Sequence, residues 1–151
     1  MINAEYRFTL PIAPEIAFDY LSNPENDSDW QSSCAECILL DDGPKVGCRY
    51  QIVFSFLGRK MNFQAEITDM DVPNRYGFRV VEGPFKYEGR YHISSHPDGA
   101  EVHWQFDAEP GRFFGILPVG LIKKVLISQV EKDSTALRKR FLAESVLRAS
   151  V

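Results

Sequence analysis

From residue 48 to residue 108 apolar and polar side chains alternate one by one, and this two-residue period constrains the fold more than any other feature. Cys48, Tyr50, Ile52, Phe54 and Phe56 fall on one face, and Arg49, Gln51, Val53 and Ser55 on the other. Met61, Phe63, Ala65 and Ile67 oppose Asn62, Gln64, Glu66 and Thr68. Tyr87, Gly89, Tyr91 and Ile93 oppose Lys86, Glu88, Arg90 and His92. Val102, Trp104, Phe106 and Ala108 oppose Glu101, His103, Gln105 and Asp107. Turn signals punctuate the pattern: Asp41-Asp42-Gly43-Pro44, Gly58-Arg59, Pro73-Asn74, Gly83-Pro84, His96-Pro97-Asp98-Gly99 and Pro110-Gly111. They predict strands over residues 34–40, 48–57, 60–72, 75–82, 85–95 and 100–108. Short connections of this kind join antiparallel neighbours, because parallel pairing needs a long crossover. One face of the expected sheet is wet, and the other carries most of the rings.

The flanks follow other periods. Residues 3–10 alternate around Tyr6, Phe8 and Leu10 and predict a first strand. Ala13-Pro14-Glu15 opens a short helix, with Pro in its first turn and an acid at the positive end of its dipole. Its expected apolar stripe is Ile16, Ala17, Tyr20 and Leu21. A second short helix is expected over 25–31, ending near Trp30. Over residues 118–147, Ile122, Leu126, Val130, Leu137 and Phe141 recur at steps of four and seven. That is the stripe of one long amphipathic helix, whose other side carries Lys123, Lys124, Glu131, Lys132, Arg138 and Lys139. At about 1.5 Å per residue it can lie across a whole sheet. The expected class is α+β, organised as a single domain over residues 1–151.

Composition narrows the role. The chain has 151 residues and a net charge of −4, so it lacks the basic field that collects phosphate backbones, and no nucleic-acid partner is expected. The first twenty residues show no basic segment followed by an apolar one, and no run approaches a membrane span. The three cysteines form no even disulfide framework, which points to a reduced cytoplasm. Cys34 and Cys37 form an isolated CxxC. A structural zinc would need about two further ligands at suitable spacing. A redox pair belongs at a helix start, whereas these fall in a predicted strand, where residues three apart point to opposite faces. They are expected to be small strand residues, and no metal or cofactor is expected.

Groups for catalysis are sparse. His92 and His103 fall on the outward faces and His96 in a turn. There is no GxSxG, HExxH, phosphate-cradling glycine loop or dinucleotide fingerprint. Glu36 and Asp69 fall in the inward register of their strands, as solvated strand ends or as cavity carboxylates. Tyr50, Tyr87, Tyr91 and Arg79 complete the candidates, with Arg79 expected to point outward.

Eleven Phe, six Tyr and two Trp make the aromatic share 13%, and the rings either fill a core or line a cavity. The inward set is Tyr50, Phe54, Phe56, Met61, Phe63, Phe78, Tyr87, Tyr91, Trp104 and Phe106, to which Trp30, Leu117 and Leu121 are added as candidate cavity residues. Rings in stripes are more often core than pocket, yet a strongly curved sheet stands off from a single helix at its centre. Buried tyrosine hydroxyls need partners: one another, water, or the polar end of a ligand. The apolar segment 111–121, which includes Arg112, Phe113, Phe114 and Ile116, is either a flap or membrane-touching edge, backed by Lys123 and Lys124, or simply the start of the long helix.

The order of elements, and four stretches in particular, carry a resemblance. The stretches are PIAPEIAFDYLSNPENDSDW (11–30), LDDGPKVGCRY (40–50), EITDMDVPNRYGFRVVEGPFKYEGRYHISSHPDGAEVHWQF (66–106) and the final helix. The chain resembles the START / Bet v 1-like (SRPBCC) superfamily, and its polyketide cyclase/dehydrase-type members in particular. The resemblance implies a helix-grip fold: a curved antiparallel sheet of about six or seven strands wrapped on the C-terminal helix, with an apolar cavity between them. It implies binding or transport of a hydrophobic small molecule (a lipid, quinone or polyketide-like compound) or, alternatively, a cyclase- or aromatase-like enzyme using the same cavity. A third reading is a module for a protein or a transient membrane contact. Fold alone does not decide among them.

Overall fold

A computed structural model describes residues 1–111, 115 and 117–149. The chain runs β1 (Ile2–Leu10), α1 (Pro14–Leu21), a 3-10 turn (Pro24–Asn26), α2 (Asp27–Trp30), β2 (Cys34–Leu39), β3 (Arg49–Phe56), β4 (Arg59–Asp71), β5 (Arg75–Glu82), β6 (Lys86–His96), β7 (Gly99–Glu109) and α3 (Val119–Ala149). The seven strands form one antiparallel sheet in the order β1-β7-β6-β5-β4-β3-β2. Successive strands from β2 to β7 are neighbours, as short turns require, and β1 adds to the free edge of β7. The sheet curls into a half-barrel around α3, with the short helices after β1: the helix-grip arrangement.

The alternation sets which face goes inside. Tyr50, Ile52, Met61, Phe63, Ala65, Ile67, Tyr87, Tyr91, Ile93, Val102, Trp104 and Ala108 are all buried. The outer face is a lattice of polar pairs, including Arg7–Glu101, Arg79–Glu66 and Arg90–Asp107. Such exposed pairs contribute at most about 1 kcal/mol each, so apolar burial on the inner face holds the fold. Helix α3 packs on β1, and Ile122 and Leu137 are among its buried residues. Ser134 is buried as well, and its hydroxyl is satisfied within the helix by donating to the Glu131 carbonyl at 3.1 Å. Toward the far end, Tyr20 of α1 meets the Phe141 ring edge-on at 5.4 Å. The Arg140 guanidinium lies over the Tyr20 ring and donates to its hydroxyl.

Five local expectations need correction. In α1 the buried face is Ala17, Phe18 and Leu21, while Ile16 is exposed, because a helix opening at Pro14 aligns positions 14, 17, 18 and 21. The expected helix over 25–31 is split into a 3-10 turn and the single turn of α2. In β2 the register shifts between Cys34 and Glu36, so Ala35 is an extra residue. That bulge resets the alternation, and Cys34 and Cys37 are both buried instead of facing opposite ways. Glu36 is consequently exposed. A second shift between Ile67 and Asp69 takes Asp69 off the inner register, and its carboxylate pairs outside with Arg75.

Candidate functional site: a ring-lined cavity

Between the inner face of the sheet and α3 lies a cavity of about 100 Å³. Its wall is built by strand parity: β3 contributes Tyr50, Phe54 and Phe56, β4 Met61 and Phe63, and β5 Phe78. Strand β6 adds Tyr87 and Tyr91, and β7 adds Trp104 and Phe106. The roof is one stripe of α3, Ile122, Leu126 and Val130, and Trp30 closes the side beneath α2. Eleven of the thirteen residues singled out from the sequence thus surround one space. The other two do not: Leu117 is 38% and Leu121 46% exposed, away from the cavity. Arg112, Phe113, Phe114 and Ile116 of the expected flap lie outside the described residues.

The rings are both core and wall. Phe63 meets Phe85 edge-on at 5.0 Å and Tyr87 at 5.2 Å, and Tyr87 leans on Phe106 at 5.1 Å. Trp104 stacks on Phe106 at 5.7 Å, and Tyr76 on Tyr91 at 6.0 Å. Edge-on and offset contacts of this kind add about 0.5–1.5 kcal/mol per pair beyond area burial. They tie the rings into a continuous lining along the sheet and still leave the centre open. A glycine maintains one part of it: a Cβ on Gly89 would lie 2.4 Å from Cζ of Phe78, whose ring lies across that strand.

The cavity has one polar end, where α2, the start of β2 and α3 meet. Asp27, Gln31, Ser33, Ser55, Gln129 and Asp133 line it. The Ser32 amide donates to the Asp133 carboxylate at 3.1 Å, and the Ser55 amide to the Ser33 carbonyl at 2.7 Å, which fastens these segments together. Nothing in the sequence pattern marks Asp27 as a cavity residue. It keeps some accessible surface, yet it is enclosed by protein, and its place in the cavity wall reconciles the two. Burial raises its carboxyl well above the ordinary carboxylate range, opposed by the nearby Trp30 indole. Trp30 Nε1 stops short of hydrogen-bond geometry, however, and is a buried donor with no partner. Burial above all raises the phenols of Tyr50, Tyr87 and Tyr91, followed by the neighbouring Tyr76 for Tyr50 and by the Asp27 charge for Tyr87 and Tyr91, and all three stay neutral. Burial first and the Asp27 charge second push the Cys34 thiol up to about 12 and the Cys37 thiol further still, which makes both poor nucleophiles.

The remaining candidates lie elsewhere. Arg79 points outward to Glu66. His92 is exposed, and His103 faces Glu5 on the outer surface. Among the described residues no group of His, Cys, Asp and Glu could hold a metal ion, and no helix is long and apolar enough to cross a membrane.

Comparison with known proteins agrees with this geometry. The family model described as polyketide cyclase / dehydrase and lipid transport matches residues 1–142. No curated protein matches the chain. Among solved structures, TTHA0849 from Thermus thermophilus superposes with a TM-score of 0.79 at 23% identity, covering 95% of this chain and 99% of that one. A START superfamily protein from Mycobacterium smegmatis gives 0.77 at 18% identity, with 95% and 99% covered. Major latex-like protein 151 from Panax ginseng gives 0.68 at 19%, with 90% and 96% covered. At these identities the likeness is one of fold.

Proposed function

The chain belongs to the polyketide cyclase / dehydrase and lipid transport family, within the START / Bet v 1-like superfamily, and from that membership we propose that it binds a hydrophobic small molecule between sheet and helix. The observation that carries the proposal is the ring-lined cavity of about 100 Å³. An apolar cavity of about 150 Å³ holds a benzene-sized guest, so this smaller one takes part of a ring-containing or lipid-like molecule only, and the ring wall must part to admit the rest. Binding is driven by apolar burial at about 25 cal/mol per Å², and the neutral tyrosine hydroxyls orient the guest's polar atoms. Trp30, Tyr50, Phe54, Phe56, Met61, Phe63, Phe78, Tyr87, Tyr91, Trp104 and Phe106 are the proposed contact residues.

One observation favours a second reading. Asp27 is a carboxyl with a raised pKa beside neutral phenols, the pairing that suits proton transfer next to a carbonyl. A cyclase- or aromatase-like enzyme would use it as acid or base in the same cavity. Native mass spectrometry of the protein as purified, followed by extraction, tests the first reading. A co-purified lipid, quinone or polyaromatic is the expected result. An empty protein that also ignores naphthalene-type fluorescent dyes would overturn it. Turnover of a polyketide-like substrate, lost on Asp27→Asn, would establish the second.

A further inference from the structure

Three leucines and a valine are left over by the cavity. Leu117, Val119 and Leu121, at the start of α3, are 38%, 46% and 46% exposed, and every residue from 117 to 121 is exposed without a polar side chain among them. Leu57, 49% exposed, forms the tip of the β3–β4 hairpin with Gly58. Its φ of 50° is the one positive value at a non-glycine among the described residues, and Gly58 follows at 81°. A two-residue turn of this kind calls for Asn or Asp before Gly, so a leucine there is costly in conformation as well as in exposed apolar surface. Such an outlier points to a use for the side chain. Strands β3, β5 and β7 all run toward this end of the half-barrel, and α3 starts from it. Each tip adjoins the cavity wall: Leu57 follows Phe56, and Leu121 precedes Ile122.

Charge marks the same end. Segments 57–60 and 117–124 hold Arg59, Lys60, Lys123 and Lys124 and no acid. Val119 and Lys123 lie four apart on α3 and Leu121 and Lys124 three apart, so apolar and cationic side chains are neighbours. Lys60, Lys123 and Lys124 form no ion pair among the described residues, whereas Arg7, Arg49, Arg75, Arg79 and Arg90 are all paired with carboxylates. The β5–β6 turn and the end of β7 add Lys86 against Glu82 and Glu109. The opposite end also exposes Leu40, Val46 and Val72, but among Asp41, Asp42, Asp71 and Asp98. In a chain of net charge −4, the basic and apolar end is the exception.

We infer that this end of the half-barrel, with Leu57 and the 117–121 run as apolar tips between Arg59, Lys60, Lys123 and Lys124, docks on an anionic lipid surface. The tips enter the boundary between headgroups and acyl chains, and the cations meet lipid phosphates. Separate projecting leucines beside long, unpaired lysines suit a fluid surface, which needs no match of shape. Once docked, the rim beside Phe56 and Ile122 faces the bilayer, so an apolar guest passes between lipid and cavity without crossing bulk water. That consequence rests on the cavity being a ligand site; the docking itself does not.

The test is flotation of the full chain with phosphatidylcholine vesicles and with vesicles carrying about one third phosphatidylglycerol. Binding to the anionic vesicles is expected to be about tenfold or more tighter than to the neutral ones and to weaken with salt. Each cation near such a surface is worth about fivefold, so Lys123→Gln with Lys124→Gln should lose about 25-fold. Leu57→Asn with Leu121→Ser should lose about tenfold or more, while Leu57→Asn alone melts no lower than the parent because Asn suits the turn. Leu40→Ser with Val46→Ser, at the acidic end, should change nothing. No binding to anionic vesicles, equal binding to neutral ones, or an equal loss from the Leu40 and Val46 pair would each overturn the inference. Self-association that the Leu57 and Leu121 pair abolishes, without vesicle binding, would overturn it too and assign the surface to a second copy. Dye binding in the absence of vesicles reports on the cavity separately, so either reading can fail while the other stands.

Discussion

Replacing Gly89 by alanine probes strand, ring and cavity at once. The new Cβ would stand 2.4 Å from Cζ of Phe78 and 2.7 Å from Cε2, so the ring must retreat by about 1.1–1.6 Å to reach ordinary contact. Its lateral escape is blocked by Tyr76 at 5.7 Å and by Tyr87 and Tyr91 at 6.3 Å each. The open direction is the cavity, whose wall Phe78 already forms. Overpacking of this kind costs about 1–3 kcal/mol, offset by about 0.5–1 kcal/mol because alanine loses less entropy than glycine in a strand. A net loss of about 1–2 kcal/mol lowers Tm by roughly 2–8 °C for a chain of this size. A ring pushed into the guest's space should weaken binding of a naphthalene-type dye by about tenfold or more, the effect of a misplaced methylene in an apolar pocket. Adding Phe78→Leu to Gly89→Ala should restore both quantities, because the two sites share one contact. Thermal melting and dye titration of the single and double variants are the assays. A Gly89→Ala protein that melts within a degree of the parent and binds the dye equally well would refute the placement of the ring.

Trp104→Ala should reduce ligand uptake far more than His103→Ala, since Trp104 lines the cavity and His103 faces outward. Equal effects in a binding titration would mean that the register of β7 is wrong by one residue. Asp27→Asn should raise Tm at pH 8, with the gain fading as the pH approaches about 4. The native carboxyl is raised above its unfolded value of about 3.9, so the unfolded state releases its proton first and wild-type stability falls as pH rises between the two. A gain that held constant or grew toward acid would contradict the buried position of Asp27. Cys34 and Cys37 should resist a thiol-exchange reagent at pH 8 in the native protein and react once it is unfolded. Rapid native labelling of either would place it at the surface.

How much of this was legible follows from how far each element repeats its period. Strands β3, β4, β6 and β7 run for eight to thirteen residues, long enough for the alternation to fix which side chains face α3. Most of the ring wall is read from that parity. Parity failed where one residue was inserted. Ala35 puts Cys37 on the side of Cys34, and the shift after Ile67 sends Asp69 outward while Met70 packs against the core. Both errors are the same error, a period of two carried across a bulge. Buried residues three apart in β2 are its trace, since an unbroken strand would bury positions two or four apart.

The polar end of the cavity leaves no pattern in the sequence for a related reason. Helix α2 is a single turn of four residues, too short for a helical period to show which side faces inward. In the sequence Asp27 is one member of an acidic run with Glu25 and Asp29, and such runs are usually solvated. What separates it is its spacing from Trp30. Three residues apart on one turn, the two side chains share a face, so the indole that packs into the wall takes the carboxylate with it. Glu25 and Asp29 are exposed. The apolar wall therefore rests on long elements whose pattern declares itself, and the polar groups rest on a single turn and a loop whose pattern does not. On the proposed reading, the wall sets how much apolar surface a guest buries, and the polar end meets its polar atoms. For this fold a strand pattern can locate the cavity, while polar lining residues such as Asp27 and Gln31 are ones that no period reveals.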